Sequence, residues 1–345
     1  LNERNGTFTR DDAAGVSLAE GLGYSGAWAD YDNDGDPDLV VSHADTQVQY
    51  LNNGDGTFTQ VTTGDLPDYA GWTMEVVWGD FTGDGWFDLA MTAWHRDPNT
   101  QRLTIFENKR DGSFGILQSI PQRGSMANPG YPSCADYDND GDLDVFVACG
   151  EDRPDVSTLY QNDGTGTFVA MSTMSLLTES RRWVHGAWGD CDGNGFPDLF
   201  VTTINDQSNA LYRNEGNANH YITFKLVGTR SNRSAIGAKV RVLATIRGEA
   251  RWQVREIKSD TANSGLRAHF GLGDAETVEA VRIEWPSGIV QELGEVPADQ
   301  FLTLTEPPQL SMEASGALSI CGGRGLTCEV FASQDLAEWV SLGEV

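Results

Sequence analysis

Asp30-Tyr31-Asp32-Asn33-Asp34-Gly35-Asp36-Pro37-Asp38 is a nine-residue stretch that returns three times, as DFTGDGWFD from Asp80, DYDNDGDLD from Asp136 and DCDGNGFPD from Asp190. Asp stands first and ninth in every copy, and Gly sixth. The third position reads Asp32, Thr82, Asp138 and Asp192; the fifth reads Asp34, Asp84, Asp140 and Asn194. Calcium is a hard cation that takes roughly six to eight oxygen ligands, which a loop supplies from alternate residues while a glycine permits the sharp turn. Positions one, three, five and nine offer side-chain oxygens, and position seven offers a backbone carbonyl. Asp36 and Asp142 add carboxylates at that seventh place, and Asp88, Asp144 and Asp198 close the later copies. Ordinary Asn/Gly turns explain one such stretch. They do not require Asp at both ends of four.

The loop length and the lack of a twelfth-position Glu separate these loops from an EF-hand. Loops two and four, with Thr82 and Asn194, carry less charge and are expected to hold calcium more weakly. Between successive loop starts lie 50, 56 and 54 residues, a period that signals a repeat architecture. Each unit repeats one grammar. An apolar lead-in (Ala27–Ala29, Val77–Gly79, Ser133–Ala135, Ala187–Gly189) precedes the loop, and a buried strand follows it (Leu39–Val41, Leu89–Met91, Val145–Val147, Leu199–Val201). A third strand is expected at Val48–Leu51, Leu103–Phe106, Thr158–Tyr160 and Ala210–Tyr212, and a fourth at Thr57–Thr59, Ser113–Phe114 and Thr167–Val169. Four short strands per unit describe a β-propeller blade. The fold class is therefore all-β.

The pattern W-x-D-x-D-x-D-G-x-x-D followed by L-x-N-x-G-x-G-T-F resembles the FG-GAP/VCBS repeats over residues 1–216. That resemblance implies one ion on Asp30, Asp32, Asp34 and Asp38, and another on Asp136, Asp138, Asp140 and Asp144. The resemblance implies a ring of about seven blades, within the roughly 4–8 that propellers have. Residues 1–9 read as the end of a unit, and the fourth unit reaches Asn214 without its own T-F-T strand. Either the N-terminal strand completes the last blade, or the ring is larger or unusual.

Residues 217–306 resemble the ASPIC/UnbV domain that follows such repeats in the cartilage acidic protein family and its bacterial relatives. The resemblance rests on Ser231–Ala238, His269–Gly273 and Trp285–Gly288. Alternation at Val240–Thr245, Val278–Trp285 and Phe301–Thr305 predicts strands there. Residues 307–345 read as the start of a small β module, cut short, with a hairpin between Leu318–Ile320 and Cys328–Phe331.

The net charge of −28 in 345 residues leaves no basic stripe for nucleic acid. Sixteen acidic residues lie in the four loops, and the remaining acidity favours solubility and cationic partners. No apolar run is long enough to span a bilayer. The chain starts at Leu1, consistent with a processed or truncated N-terminus, and calcium loops suit an extracellular, periplasmic or cell-surface setting. Among five cysteines, Cys321 with Cys328 and Cys134 with Cys149 are candidate pairs, against the simpler reading of small buried thiols.

Five residues before each loop stand Ser25, Glu75, Tyr131 and His185, with Trp72, Arg181, Arg182 and Trp183 nearby. Glu75, Tyr131, Arg182 and His185 are the candidate channel cluster. A His with a Glu can exchange protons; inner-strand residues satisfying one another are the simpler alternative. His43 and His95 read as loop-surface residues, and Asn232-Arg233-Ser234 as a turn.

Two functions fit. One is a secreted, calcium-stabilised binding, adhesion or structural module for an unspecified protein or carbohydrate, with self-assembly by strand addition as a further option. The other is a calcium-dependent lyase or dehydratase on carbohydrate at the channel mouth. No G-x-S-x-G, H-E-x-x-H or P-loop is present.

Overall fold

Asp and Gly at fixed places force tight reversals between short apolar runs, and each reversal becomes a hairpin. The computed structural model describes residues 7–11, 13–16, 23–43, 46–69, 72–94, 102–121, 130–149, 155–171, 179–204, 207–258, 266–312, 318–321, 329–332 and 340–344. All regular elements among these residues are strands. None of the described residues forms a helix long and apolar enough to cross a membrane.

Strands β1 (Gly23–Ala29), β2 (Asp38–His43), β3 (Gln47–Asn52) and β4 (Phe58–Val61) form one antiparallel sheet in that order. Strands β5 (Trp72–Gly79), β6 (Asp88–Trp94), β7 (Arg102–Asn108) and β8 (Phe114–Pro121) form a second. The third takes β9 (Tyr131–Ala135) and β10 (Asp144–Ala148), skips a short β11 (Asp155–Val156), and continues with β12 (Thr158–Asn162) and β13 (Phe168–Ala170). Strand β14 (Ser180–Arg181) pairs with β11. The fourth sheet has three strands, β15 (Trp183–Gly189), β16 (Asp198–Thr203) and β17 (Ala210–Tyr212). In all four, the ninth-position Asp pairs with the residue before the first: Ala29 with Asp38, Gly79 with Asp88, Ala135 with Asp144, Gly189 with Asp198. The nine-residue loop thus closes the same hairpin each time.

First strands of successive sheets lie side by side, β1 by β5, β5 by β9 and β9 by β15, as in a propeller-like arrangement. The cores sit between sheets. Trp78 stacks on Tyr31 of the preceding sheet (5.7 Å, 11°), Phe81 meets Phe168 edge-on, and Trp188 meets Phe146 edge-on. An asparagine ladder reinforces each junction. Asn108 Nδ2 donates to Tyr31 O, Asn162 Nδ2 to Phe81 O and Asn214 Nδ2 to Tyr137 O, at 2.6–2.8 Å. At the two ends the equivalent surfaces are open. Trp28 is 50% exposed where Trp78 and Trp188 are buried, and Phe200 is 40% exposed where Phe146 is covered. Phe8 is 79% exposed, whereas Phe114 and Phe168 are buried in their sheets.

Strands β18 (His220–Val227), β19 (Lys239–Ile246), β20 (Glu249–Glu256), β21 (Ala268–Gly273), β22 (Thr277–Val278), β23 (Ala280–Glu284), β24 (Val290–Leu293), β25 (Val296–Pro297) and β26 (Gln300–Thr305) follow. They form a β21-β18-β26 sheet, with β18 and β26 parallel, and an antiparallel β20-β19-β23-β24 sheet. Alternate residues of both sheets (Ile222, Phe224, Val240, Val242, Phe270, Ile283) fill one core between them. The last strands correct the expected hairpin. Strand β27 (Gln309–Met312) pairs with β28 (Leu318–Cys321), and β29 (Glu329–Ala332) with β30 (Val340–Glu344), so 318–321 does not pair with 329–332. Cys328 lies outside the described residues. Cys134 and Cys149 are buried thiols that donate to Trp78 O and Val147 O and do not form a disulfide.

Candidate metal centre

All four loops share one cradle. The sixth-position N–H donates to the first Asp: Gly35 to Asp30 Oδ2, Gly85 to Asp80 Oδ2, Gly141 to Asp136 Oδ2 and Gly195 to Asp190 Oδ2, at 2.9–3.0 Å. Glycine is needed there because φ lies between +84° and +103°. The ninth Asp accepts the N–H of the ladder asparagine at 2.8–2.9 Å, Asp38 from Asn52 and Asp144 from Asn162 among them. Fifth-position side chains (Asp34, Asp84, Asp140, Asn194) accept the N–H of the seventh residue. They act as turn caps.

These bonds gather the remaining oxygens. Carboxylate oxygens of Asp30, Asp32 and Asp38 lie within 4.8 Å of one another, as do those of Asp136, Asp138 and Asp144, and of Asp190, Asp192 and Asp198. Each group has the composition to hold a metal ion. Asp30 Oδ1 and Asp138 Oδ1 are buried with no hydrogen-bond partner, although the other oxygens of their carboxylates are engaged. The second loop differs. Thr82 Oγ1 donates to Asp88 Oδ2 at 3.0 Å, and Arg110 pairs with Asp84 at 2.6 Å. No three-carboxylate group forms there.

Burial, with neighbouring carboxylates adding, pushes Asp38, Asp80 and Asp88 up to about 7 and Asp138 and Asp142 to about 6. Asp136 and Asp144 rise well above the ordinary carboxylate range for the same reasons. Asp198 goes the other way. Burial raises it, but the Cys191 thiol and the Asn214 and Cys191 N–H groups outweigh that and lower it.

Two family models match the chain. FG-GAP-like repeat covers residues 30–91, 93–147 and 136–201, and ASPIC and UnbV covers 228–311. The chain is an FG-GAP-repeat protein with an ASPIC and UnbV domain. It is 26% identical over 287 residues to human cartilage acidic protein 1, covering 79% of this chain and 41% of that protein. The Xenopus tropicalis protein of the same name is 27% identical over 251 residues, covering 69% and 38%. The chain thus spans about two fifths of the length of these curated relatives. A solved structure titled for recognition of non-reducing terminal N-acetylglucosamine by an Agrocybe aegerita lectin overlaps 78% of this chain and 65% of its own, at 15% identity and a TM-score of 0.36.

The ASPIC domain meets the FG-GAP loops directly. Lys239 Nζ contacts Asp30 Oδ2, with both side chains buried, and also donates to Asn33 Oδ1 at 3.0 Å. Arg241 reaches Asn33 Oδ1 (2.7 Å) and Gly85 O (2.9 Å). Arg247 pairs with Asp140 and Arg251 with Asp142. Gly271 N–H donates to Asp136 Oδ2, and Gly273 N–H to Asn139 O. His269 Nε2 lies 2.8 Å from Asn139 Oδ1, and Thr223 Oγ1 lies 2.8 Å from Nδ1. Burial, then the Arg255 charge, lowers His269 to about 3. The ring is neutral, and because Asn139 Nδ2 is spent on Gly195 O, it donates from Nε2 and accepts the Thr223 hydroxyl at Nδ1.

Sequence reading missed this interface. One signal was available, since residues 217–306 hold eleven Lys and Arg against eleven Asp and Glu in a chain of net charge −28.

The channel candidates come together in part. His185 Nδ1 lies 3.5 Å from Glu75 Oε2, and the His185 ring sits 4.2 Å from that of Tyr131. Arg182 is held through its backbone N–H, which donates to Gln207 Oε1. Arg181 lies over Trp183, which is buried, and the Trp72 side chain and His95 lie outside the described residues. His43 is buried at the end of β2, contrary to its expected surface position, because that strand continues into the core past Val41. Asn232 makes the expected turn, its amide bracketing Ile236 on both sides.

Proposed function

We propose that this chain is part of an extracellular, calcium-binding protein that serves as a binding or structural module, its FG-GAP loops pinned by calcium. The observation that carries the reading is the pair of buried carboxylate oxygens, Asp30 Oδ1 and Asp138 Oδ1, gathered with other carboxylates and given no protein donor. A buried polar atom without a partner costs roughly 1–3 kcal/mol, more when charged, and a hard cation relieves that cost. The ligating set is the loop carboxylates identified from sequence, with Asp30, Asp32 and Asp38, then Asp136, Asp138 and Asp144, then Asp190, Asp192 and Asp198 at its heart. Thr82 leaves the second loop weakest. Calcium supplies positive charge that holds the hairpins closed; the loops themselves supply shape through the glycine turns and asparagine bonds. Residues 1–216, 217–306 and 307–345 act as propeller repeats, ASPIC/UnbV domain and a short β module. Similarity to cartilage acidic protein 1 supports the extracellular setting. Calorimetric titration with calcium, and thermal melts in calcium and in EDTA, test this reading. Binding together with a large drop in melting temperature in EDTA is expected; a melt indifferent to both overturns it.

A second reading, a carbohydrate lyase or dehydratase, is favoured by the approach of His185 to Glu75 beside Tyr131. Incubation with acidic polysaccharides, followed for unsaturated products, tests it. Turnover that disappears in His185→Ala supports an enzyme, and its absence across substrates leaves the binding module.

A further inference from the structure

The four loops differ in how the rest of the chain covers them. The third is enclosed. Asp136, Asn139, Asp140, Asp142 and Asp144 are all buried. From one side the ASPIC domain covers this loop with the Gly271 N–H, the His269 ring and the Arg247 and Arg251 guanidiniums. In addition, Gln161 Nε2 donates to Asp138 Oδ2 at 2.7 Å, and the Asn217 and Asn219 amides donate to Asp138 O at 2.7 and 2.9 Å.

The fourth loop is open by contrast. Asp192 and Asn194 are exposed, and Asp190 is half-exposed. The ASPIC domain touches this loop through the Tyr221 ring against Gly195. A cavity of about 240 Å³, lined by Asp190, Lys225, Arg267 and His269, leaves Asp190 open beside that contact. Both loops gather three carboxylates, and they differ in two ways: the cover, and the extra charge of Asp140 and Asp142 in the third loop where the fourth has Asn194 and Phe196.

We propose that the ASPIC domain is a lid on the third FG-GAP loop: a divalent ion held there exchanges with solvent only when the domain lifts, while the fourth loop exchanges freely. This rests on the reading that the loops hold calcium. On the third loop the lid is held by backbone contacts and by two charge pairs whose guanidiniums reach solvent, while the buried Lys239–Asp30 pair anchors the same domain on the first loop. Arg247 is mostly exposed and Arg251 partly so, which makes them removable without opening the core.

The test uses the whole chain loaded with calcium and mixed rapidly with a fluorescent chelator, after equilibrium titration has established how many ions bind. Release in at least two phases is expected. Asp198→Asn removes a fast phase and Asp144→Asn removes a slow one. Arg247→Ala with Arg251→Ala speeds the slow phase roughly tenfold, the size expected from losing two partly exposed ion pairs, and leaves the fast phase alone. High salt, which screens those pairs without any substitution, acts in the same direction. If calcium binds but the phase lost in Asp144→Asn is no slower than that lost in Asp198→Asn, the lid is wrong and the calcium sites stand. A slow phase indifferent to both the double variant and salt also overturns the lid. No calcium binding at all sinks the underlying reading, and the lid with it.

Discussion

Gly271 donates its backbone N–H to Asp136 Oδ2 at 3.0 Å, bringing a strand of the ASPIC domain onto the first carboxylate of the third loop. The approach leaves no room for a side chain. A Cβ on Gly271 would fall 2.2 Å from Asp136 Oδ2 and 2.4 Å from the Asn139 backbone. Gly271→Ala is therefore expected to push β21 off the loop. The cost should be about 1–3 kcal/mol, as for overpacking elsewhere. A melting temperature several degrees lower, with faster proteolysis between the domains, would show it. An unchanged melt would mean that the two surfaces are not held as tightly as this contact implies.

The asparagine ladder makes a paired prediction. Asn162 is buried, and its amide donates to Phe81 O and Leu143 O while its own oxygen accepts from Gly164 and Gly166. Asn162→Ala strands those carbonyls inside the protein and should cost roughly 2–4 kcal/mol. Asn52 holds the equivalent place in the first sheet, but its amide donates to Pro37 O, in its own sheet, at an exposed position. Asn52→Ala should cost less than about 1 kcal/mol. Equal losses in urea unfolding of the two variants would remove the case for coupling between sheets.

The Asp and Gly spacing was legible because each loop is local: nine residues contain the turn, its caps and both ends of the hairpin. The ladder asparagines stand two residues after Tyr50, Phe106, Tyr160 and Tyr212, but their function was not legible, since Asn162 reaches a carbonyl 81 residues away. The ASPIC contact was hidden for the same reason, Gly271 and Asp136 being 135 residues apart. Local cues also misled. The Gly-rich turn between Cys321 and Cys328 suggested a hairpin across it, yet β28 turns back onto β27 and β29 onward to β30. In the channel cluster, alignment by offset brought Glu75, Tyr131 and His185 together because register is shared between sheets. It said nothing of Arg182, which lies before β15, where that register begins.

Glu306, at the end of β26, ties the ASPIC domain together and was not read from sequence. Its buried carboxylate accepts the N–H groups of Thr229, Arg230 and Ser231 and the hydroxyls of Ser231 and Ser287. Burial works against the charge, but these donors outweigh it and hold Glu306 down to about 2. Its folded value lies below the unfolded one, so its contribution is complete above the unfolded value of about 4.3 and is lost as pH falls towards 2. The contribution is on the order of 3 kcal/mol. Glu306→Gln should lower stability at pH 7 and flatten the acid limb of the stability curve. An acid limb identical to that of the parent chain would assign acid sensitivity to other groups.

The loop carboxylates carry the opposite sign. Asp38, Asp80 and Asp88 sit at about 7, and Asp138 and Asp142 at about 6, each raised above its unfolded value chiefly by burial. Between the unfolded and folded values the folded chain holds protons that the unfolded chain has released. Stability without calcium should therefore fall as pH rises from about 4 to 8. Calcium requires the ionised carboxylates, so its binding displaces those protons and strengthens over the same range. The rise in melting temperature on adding calcium should accordingly be small at pH 5 and large at pH 8. Melts with and without calcium across that range decide the matter. A calcium effect that shrinks with rising pH would show that these carboxylates are not the groups that bind it.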